Sequence, residues 1–261
     1  MDHQLILDMI QWDSFYQKYA KCTVSVTNCT TNDKIQQNCQ KMIVADYKAS
    51  RECLYIKDWH FEHLYNIVFP CTILQDWMNE YFVDNDFKFL YLGKKGSWTP
   101  IHTDVYHSHS WSLNLVGRKL WYFFDPTHPQ IELILNSVDA RHFNDAIVFT
   151  TEPGDVIWVP SGYAHQVHNL DEDTLSCNRN WCDKDNILTI ATFLLREYNR
   201  VVKELSDIPM DIQTRQEQTD LVFLALTGIS VQGFCSWTTA MYSKYNCIEA
   251  KEACSLLNKL M

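Results

Sequence analysis

The middle of the chain consists of short runs in which apolar and polar residues alternate, separated by turn residues. Alternation with a period of two is typical of β-strands that bury one face. The run at 113–124 is apolar on both faces apart from Asn114, Arg118 and Lys119, which predicts one strand covered on both sides. Short strands in this number favour a jelly roll. The predicted strands are residues 23–28, 53–59, 87–93, 113–124, 146–151, 156–160 and 175–181.

Apolar residues at helical spacing lie on both sides of this strand-rich region. The predicted helices are residues 5–20, 32–46, 72–82, 130–137, 186–206, 214–228 and 236–260. The composition changes from strand-like to helical near Asp183, where a C-terminal helical subdomain should begin. We expect the connection from Asp125 to Asn144, which holds the helix at 130–137, to lie over an entrance to the interior. The pattern therefore predicts an α+β fold.

His102 and Asp104 have the spacing of half a metal site. On a β-strand, residues i and i+2 leave the same face, so both side chains can reach one ion. A third ligand should come from a distant segment, and His165 is the best candidate. Two imidazoles and one carboxylate leave the ion's other positions open, as in non-haem Fe(II) oxygenases. From the residues alone, a metal site is no more favoured than the alternative. In that alternative these side chains are a surface pair, or a core histidine whose hydrogen bonds are satisfied.

Two further histidines, His107 and His109, repeat the i, i+2 spacing. No carboxylate accompanies them, so we do not assign them as metal ligands. His168 points away from the face that carries His165, which favours a structural role.

Lys119 lies on the strand face that also carries Trp121 and Phe123. Burying an unpaired ammonium costs several kcal/mol, so a lysine on that face indicates that an anion meets it there. The alternative is a lysine at a strand end whose charged head reaches solvent.

Composition narrows the classes of partner. The 261 residues carry a net charge of -10, which disfavours direct nucleic-acid binding and suits a basic protein or peptide partner. No apolar run approaches the roughly 20 residues of a membrane span, and the N-terminus lacks the basic start of a signal peptide. The 10 cysteines contain no Cys-x-x-Cys pair and are interpreted as reduced thiols. We therefore expect a cytoplasmic or also nuclear protein without membrane association.

Three separated motifs resemble those of the JmjC 2-oxoglutarate oxygenases. They are Gly-Ser-Trp-Thr-Pro-Ile-His-Thr-Asp, then Gly-Arg-Lys-Leu-Trp, then Pro-Gly-Asp-Val-Ile-Trp-Val-Pro-Ser-Gly-Tyr-Ala-His-Gln-Val-His-Asn-Leu. The resemblance runs from about residue 23 to about residue 181. It implies a double-stranded β-helix, the jelly roll of that family, with Fe(II) held by His102, Asp104 and His165. It also implies 2-oxoglutarate as cosubstrate, its far carboxylate paired with Lys119, and O2.

The resemblance implies a division into three segments and a set of cavity residues. Residues 1–85 would complete the JmjC domain, 86–182 would form its jelly-roll core, and 183–261 would form the helical subdomain, through which relatives often dimerise. The residues that match cosubstrate or iron-proximal positions of the family are Tyr55, Thr99, Ser112, Asn178 and Asn180. Tyr55 is also compatible with a plain core tyrosine.

Three functions are compatible with these residues: a protein hydroxylase, an N-methyl-lysine or N-methyl-arginine demethylase, and a non-catalytic interaction module. The resemblance favours a lysyl hydroxylase that acts on subunit 1 of the eukaryotic peptide-chain release factor and supports translation termination. Asp171, Glu172 and Asp173 follow the strand of His165 and either attract a cationic substrate or form a solvated turn.

Overall fold

Two antiparallel sheets and a group of C-terminal helices make up the described part of the protein. The structure is a computed structural model that describes residues 11–29, 39–65, 75–84 and 86–260. The strands are β1 (Thr23–Asn28), β2 (Cys39–Ile43), β3 (Leu54–Trp59), β4 (Lys88–Lys94), β5 (Trp98–His102), β6 (His109–Val116), β7 (Lys119–Phe124), β8 (Ile147–Thr151), β9 (Val156–Val159), β10 (Ala164–Asn169) and β11 (Asp173–Trp181). The α-helices are α1 (Trp12–Tyr19), α2 (Val44–Ala49), α3 (Phe61–Tyr65), α4 (Trp77–Tyr81), α5 (Ile131–Asn136), α6 (Ile187–Glu204), α7 (Ile212–Thr227), α8 (Val231–Tyr245) and α9 (Ile248–Leu257).

The strands form a larger and a smaller sheet that enclose a cavity between them. The larger sheet has the order β2-β1-β3-β4-β11-β6-β9, and the smaller has the order β5-β10-β7-β8. Neighbouring strands in both sheets are antiparallel. This arrangement with flanking helices confirms the predicted α+β jelly roll.

Aromatic side chains from α1 and α2 cover the outer face of the larger sheet. Phe15, Tyr19 and Tyr47 are buried there against the even-numbered residues of β3 and β4, such as Ile56 and Leu92. The opposite face of these strands carries Tyr55 and Tyr91, which line the cavity. Strands β1 to β3, from the segment predicted at 1–85, belong to the same sheet as β4, β6 and β11. The boundaries at 85 and 182 stay predictions.

The C-terminal helices have their own apolar core, which includes α4. Trp77 of α4 and Trp237 of α8 are fully buried in it, and the Trp237 indole N–H donates to the Trp77 carbonyl at 3.0 Å. A Trp buries more apolar area than most side chains, so this pair anchors the helices to the strand region.

The predicted single strand at 113–124 is wrong. The structure has two strands there, β6 in the larger sheet and β7 in the smaller, with a turn at Gly117 between them. Gly117 has a φ of 72°, which favours glycine, and its carbonyl accepts a hydrogen bond from the Asn114 side chain at 2.6 Å. Gly117, Arg118 and Lys119 interrupt the apolar run at this turn, but the apolar residues on both sides of them were interpreted as one strand.

Two helix predictions need correction. Residues 39–43 of the predicted helix 32–46 form β2, because they pair along β1 from Ile43 opposite Thr23 to Cys39 opposite Thr27. Residues 32–38 lie outside the described residues, as do 5–10 of the first predicted helix and 72–74 of the third. The predicted helix 236–260 is two helices, α8 and α9, separated at Asn246, which has a φ of 51°.

Helix α5 does not cover the cavity. Its Ile134 is buried against Ile101, Phe124 and Ala164, which lie on the outer face of the smaller sheet. The predicted position over an entrance is therefore wrong, because α5 buries its apolar side against the sheet face opposite the cavity.

Among the described residues, no single helix is long and apolar enough to cross a membrane. Only α7 with α8, a pair bent by 62°, reaches that length and hydropathy together.

The turn at Gly117 yields a stability prediction. A Cβ there would lie 2.7 Å from the Asp173 carbonyl oxygen and 2.8 Å from the Thr174 hydroxyl, whereas a Cβ on Gly154, with a φ of 97°, would meet nothing within 4 Å. Backbone strain alone costs about 1–3 kcal/mol. We expect Gly117→Ala to lose more unfolding free energy in urea titration than the matched control Gly154→Ala. Equal losses would show that the turn is not crowded.

Candidate active site

Two adjacent strands of the smaller sheet, with the segment that follows β5, bring the three predicted metal ligands together. β5 and β10 are antiparallel neighbours, and His102 is the direct partner of His165 in their register. Asp104 follows two residues after His102. One ligand atom from each of the three side chains lies within 4.8 Å of the others, and the two imidazole centroids are 4.2 Å apart. The structure therefore brings together residues that are 61 positions apart in sequence (165 − 104).

Backbone carbonyl groups orient both histidines. The Nδ1 of His102 lies 2.8 Å from the Pro100 oxygen, and the Nδ1 of His165 lies 3.4 Å from the Tyr163 oxygen. Because a carbonyl oxygen only accepts, each Nδ1 must donate, which leaves each Nε2 lone pair for a metal. Burial, followed by the adjacent His165, lowers the pKa of His102 to about 3. The imidazole is therefore in its neutral, metal-binding form.

Asp104 is held by a residue that the sequence analysis missed. The Ser110 hydroxyl donates to Asp104 Oδ2 at 2.7 Å. Hydrogen bonds of this kind fix the orientation of a metal-binding carboxylate. Ser110, Ser112 and Asn114 share one face of β6, so the alternation of polar residues there was the signal that could have identified Ser110.

The donor set fits a first-row transition metal with open positions. Two neutral imidazoles and one carboxylate suit Fe(II) or Mn(II). Within the described ranges, no fourth histidine, cysteine or acidic side chain joins the group of His102, Asp104 and His165. An ion bound by these three side chains would keep coordination positions for other ligands.

Lys119 is a buried cation at the other end of the same cavity. Its side chain is 1% exposed and donates to the Ser176 hydroxyl. Burial lowers the pKa of Lys119 to about 7. Across the described ranges, no carboxylate lies within ion-pair distance of its ammonium. The alternative of a solvent-reaching lysine is therefore wrong, and the site favours an anionic ligand that neutralises the charge.

The register of β7 and β10 separates this cation from the metal ligands. Phe123 is paired with His165, whereas Lys119 is paired with Asn169. Four residues along a strand separate the two positions by about 13 Å at the backbone, which is not the distance from the Lys119 ammonium to the metal ligands. A ligand that contacts both ends needs one end that binds a metal and a separate anionic end.

The five other predicted cavity residues also line this space: Tyr55, Thr99, Ser112, Asn178 and Asn180. Burial raises the pKa of the Tyr55 hydroxyl, and the neighbouring Asn169 and Thr99 side chains partly oppose that shift. The Asn178 Oδ1 accepts from Ser112 at 3.1 Å and from Ser176 at 2.9 Å. Asn180 donates to the Ser108 hydroxyl at 3.2 Å. Their shared location fits the predicted roles, which stay predictions.

The remaining candidate histidines lie away from the cavity. His107 stacks on Phe193 with ring centroids 4.2 Å apart, and the Nδ1 of His109 accepts from the Ser161 N–H at 2.9 Å. His168 stacks on Trp98 in nearly parallel orientation, at an interplanar angle of 4°. Packing contacts account for all three.

Several cavity residues were not predicted from the sequence. They are Lys57, Asp58, Tyr91 and Val159. The apolar members favour exclusion of water from the cavity, which strengthens electrostatic interactions inside it. Their positions follow from strand register and from a bulge in β3, which periodicity alone does not show.

An open site of two histidines and one carboxylate, in a jelly roll whose cavity ends at a buried lysine, defines the class of 2-oxoglutarate-dependent oxygenases. Residues 89–147 match the family described as "JmjC domain, hydroxylase". The chain contains a JmjC domain and is similar over 85% of its length to proteins named as 2-oxoglutarate- and iron-dependent oxygenases. This similarity implies Fe(II), 2-oxoglutarate and O2, which agrees with the donor set and with Lys119.

The chain is similar to curated proteins of this family. It is 32% identical to "2-oxoglutarate and iron-dependent oxygenase JMJD4" of Gallus gallus, over 85% of this chain and 61% of the relative. It is 30% identical to the Homo sapiens protein of the same name, over 85% of this chain and 62% of the relative. It is also 33% identical to "Arginine-specific demethylase JMJ20" of Arabidopsis thaliana, over 74% of this chain and 52% of the relative. The chain thus spans about three fifths of the length of the JMJD4 proteins it matches.

The three-ligand geometry predicts metal binding. Purified protein should bind about one Mn(II) ion, which replaces Fe(II) here because it does not oxidise readily. His102→Ala or Asp104→Ala should weaken Mn(II) binding more than 100-fold. Loss of a residue that only hydrogen-bonds to a metal ligand already weakens metal affinity by about 10–100-fold, and loss of the ligand itself should cost more. Titration followed by electron paramagnetic resonance measures the free ion. The matched control His109→Ala should bind like wild type. Unchanged affinity in both ligand variants would reject the site.

Proposed function

We propose that this protein is an Fe(II)- and 2-oxoglutarate-dependent protein hydroxylase. The observation that carries the proposal is the elongated cavity with His102, Asp104 and His165 at one end and the buried Lys119 at the other. An intact ligand set with a buried cation argues against a non-catalytic interaction module, because a binding surface requires neither.

Different residues would bind the metal and the cosubstrate. His102, Asp104 and His165 would hold Fe(II), and the Lys119 ammonium would pair with the far carboxylate of 2-oxoglutarate. Bound Fe(II) supplies the means of activating O2 while 2-oxoglutarate provides two electrons. In the overall reaction, a substrate C–H, 2-oxoglutarate and O2 yield C–OH, succinate and CO2. Trp121, which lines the cavity beside Lys119, would shield the cosubstrate from water.

For the substrate, we propose a lysine side chain in subunit 1 of the eukaryotic peptide-chain release factor, with a role in translation termination. The net charge of -10 supports a cationic substrate. A cytoplasmic location, or a cytoplasmic and nuclear one, follows from this substrate. Dimerisation through the C-terminal helices is part of the same proposal, and the exposed Leu221 and Leu226 of α7 are compatible with it.

The acidic run after β10 does not support substrate attraction. Asp171 accepts from the Arg118 side chain at 2.8 and 3.0 Å, and Asp173 accepts from the Tyr16 hydroxyl at 3.1 Å. These carboxylates are occupied by interactions within the protein, and the cavity lining contains none of residues 171–173. The interpretation as a solvent-facing turn is favoured.

N-demethylation is the second candidate, because a relative is named as an arginine-specific demethylase. The metal and cosubstrate residues serve both reactions, since demethylation is hydroxylation of an N-methyl carbon followed by loss of formaldehyde. Formaldehyde release from a methylated peptide, measured against oxygen incorporation into an unmethylated one, distinguishes the two.

The position of Lys119 predicts how 2-oxoglutarate affinity depends on pH. Because the pKa of Lys119 in the ligand-free protein is about 7, affinity should be full below pH 7. At higher pH the neutral amine must take up a proton before it pairs with the carboxylate. Affinity should therefore fall by up to about tenfold per pH unit until the pKa of the complex is passed.

Titration of Mn(II)-loaded protein with 2-oxoglutarate from pH 6.5 to 9 measures this dependence. The control Lys119→Arg stays positively charged over this pH range. Its 2-oxoglutarate affinity should therefore lack the decrease with pH that titration of Lys119 causes in wild type. Lys119→Ala should weaken binding by roughly two to three decades, because removal of one partner of a buried pair costs about 3–5 kcal/mol. An identical pH slope in the arginine variant would show that another group titrates.

The proposed substrate can be tested directly. Incubation of the protein with release factor subunit 1, Fe(II), 2-oxoglutarate and O2 should add one oxygen atom to a lysine, located by fragment mass spectrometry. His165→Ala should abolish the modification. Turnover of 2-oxoglutarate without oxygen on any lysine of that factor would reject the substrate while leaving the oxygenase assignment intact.

A further inference from the structure

Strand β3 contains a bulge directly beside the cavity. Ile56 pairs with Leu92, but the next pair is Trp59 with Leu90, so three steps along β3 correspond to two along β4. Ile56 and Trp59 both lie in the core on the outer side of the sheet. One extra residue therefore lies between them, and the regular alternation of faces is interrupted.

The bulge places two consecutive residues on the cavity side. Lys57 and Asp58 both line the cavity, together with Tyr91, which lies between Leu90 and Leu92 on β4. Asp58 has a φ of 52°, a left-handed conformation that is uncommon outside glycine. Bulges next to active sites commonly redirect a side chain. Here the redirected side chain is a carboxylate at the exposed edge of the cavity.

Tyr91 fixes the Asp58 carboxylate and leaves one of its oxygens available. The Tyr91 hydroxyl donates to Asp58 Oδ1 at 2.8 Å. Within the described ranges, Asp58 Oδ2 has no hydrogen-bond partner. The Tyr91 ring centroid is 6.0 Å from the Lys119 ammonium, so Tyr91 connects the cosubstrate end of the cavity with its mouth.

The other charged groups that line the cavity have different positions or roles. Asp104 belongs to the metal site, and Lys119 lies at the buried end. The Lys57 ammonium lies 5.0 Å from the centre of the Tyr55 ring. Asp58 is thus the exposed carboxylate of the cavity lining.

We propose that Asp58 binds the ammonium group of the substrate lysine at the cavity mouth. The inference rests on the proposed function, to which it adds the residue that recognises the substrate. Asp58 Oδ2 would accept a hydrogen bond from an N–H of the ammonium, which a trimethylated lysine lacks. Holding the nitrogen at one point would also determine which methylene carbon lies nearest the metal, since positioning decides the outcome of the reaction.

The test compares two peptide pools on immobilised protein loaded with Mn(II) and 2-oxoglutarate. Both pools have randomised Ala, Ser, Gly and Leu positions, and their central residue is either lysine or norleucine. Wild type should retain lysine-centred peptides about tenfold better, the size of one charge-assisted hydrogen bond. Asp58→Asn keeps an acceptor for Tyr91 but removes the charge, and should abolish the preference with norleucine retention unchanged.

Glu132→Gln is the matched control, because it removes an exposed carboxylate on α5, whose buried side packs on the outer face of the smaller sheet. It should keep the wild-type preference. The inference is overturned if wild type shows no lysine preference, or if Asp58→Asn retains it. Oxidation of the retained lysine peptides by the Fe(II) enzyme is scored separately. Selective retention without oxidation would contradict the proposed hydroxylase while upholding the role of Asp58.

Discussion

The antiparallel register of β5, β10 and β7 is the constraint on which the rest of the site depends. It pairs His102 with His165 and sets Lys119 four residues away from the level of the metal ligands. A slip of one residue in either pairing would turn the affected side chains to the opposite face of the sheet. One four-stranded sheet therefore fixes both ends of the cavity, while the larger sheet supplies the polar side chains between them.

The alternation of side chains along a strand explains how much could be predicted from the sequence. Period-two spacing placed His102 with Asp104, and Lys119 with Trp121, on common faces, and both sets line the cavity. Spacing alone could not identify the third ligand, because it lies in a distant segment of the chain. The motif shared with the JmjC family pointed to His165.

The remaining features depend on information that periodicity does not contain. The turn at Gly117 lies in a run that is mostly apolar, so periodicity does not reveal it. The residues of β2 have helical spacing in the sequence, but they form a strand because they pair with β1. The bulge at Asp58 changes the register by one residue and has no compositional signal. Ser176, which accepts from Lys119, became recognisable only when β7 and β11 were placed on opposite sides of the cavity.

Two charged residues of the cavity have different proposed roles: Lys119 in binding the cosubstrate and Asp58 in recognising the substrate. Burying Lys119 without a protein carboxylate within the described ranges is electrostatically costly, and an anionic cosubstrate would offset that cost. In the proposed function this end of the cavity serves a hydroxylase and a demethylase equally, which is consistent with similarity to proteins named for different activities. The proposed role of Asp58 would place substrate selectivity at the other, exposed end of the cavity.

A metal ion held by His102, Asp104 and His165 alone would keep positions at which 2-oxoglutarate could bind it directly. The most direct measurement is the visible absorption of the protein with Fe(II) and 2-oxoglutarate in the absence of oxygen. Chelation of Fe(II) by the 2-oxo acid should produce a charge-transfer band in wild type that is absent when succinate replaces 2-oxoglutarate and absent in His165→Ala. A wild-type protein that binds both Fe(II) and 2-oxoglutarate without this band would contradict the account.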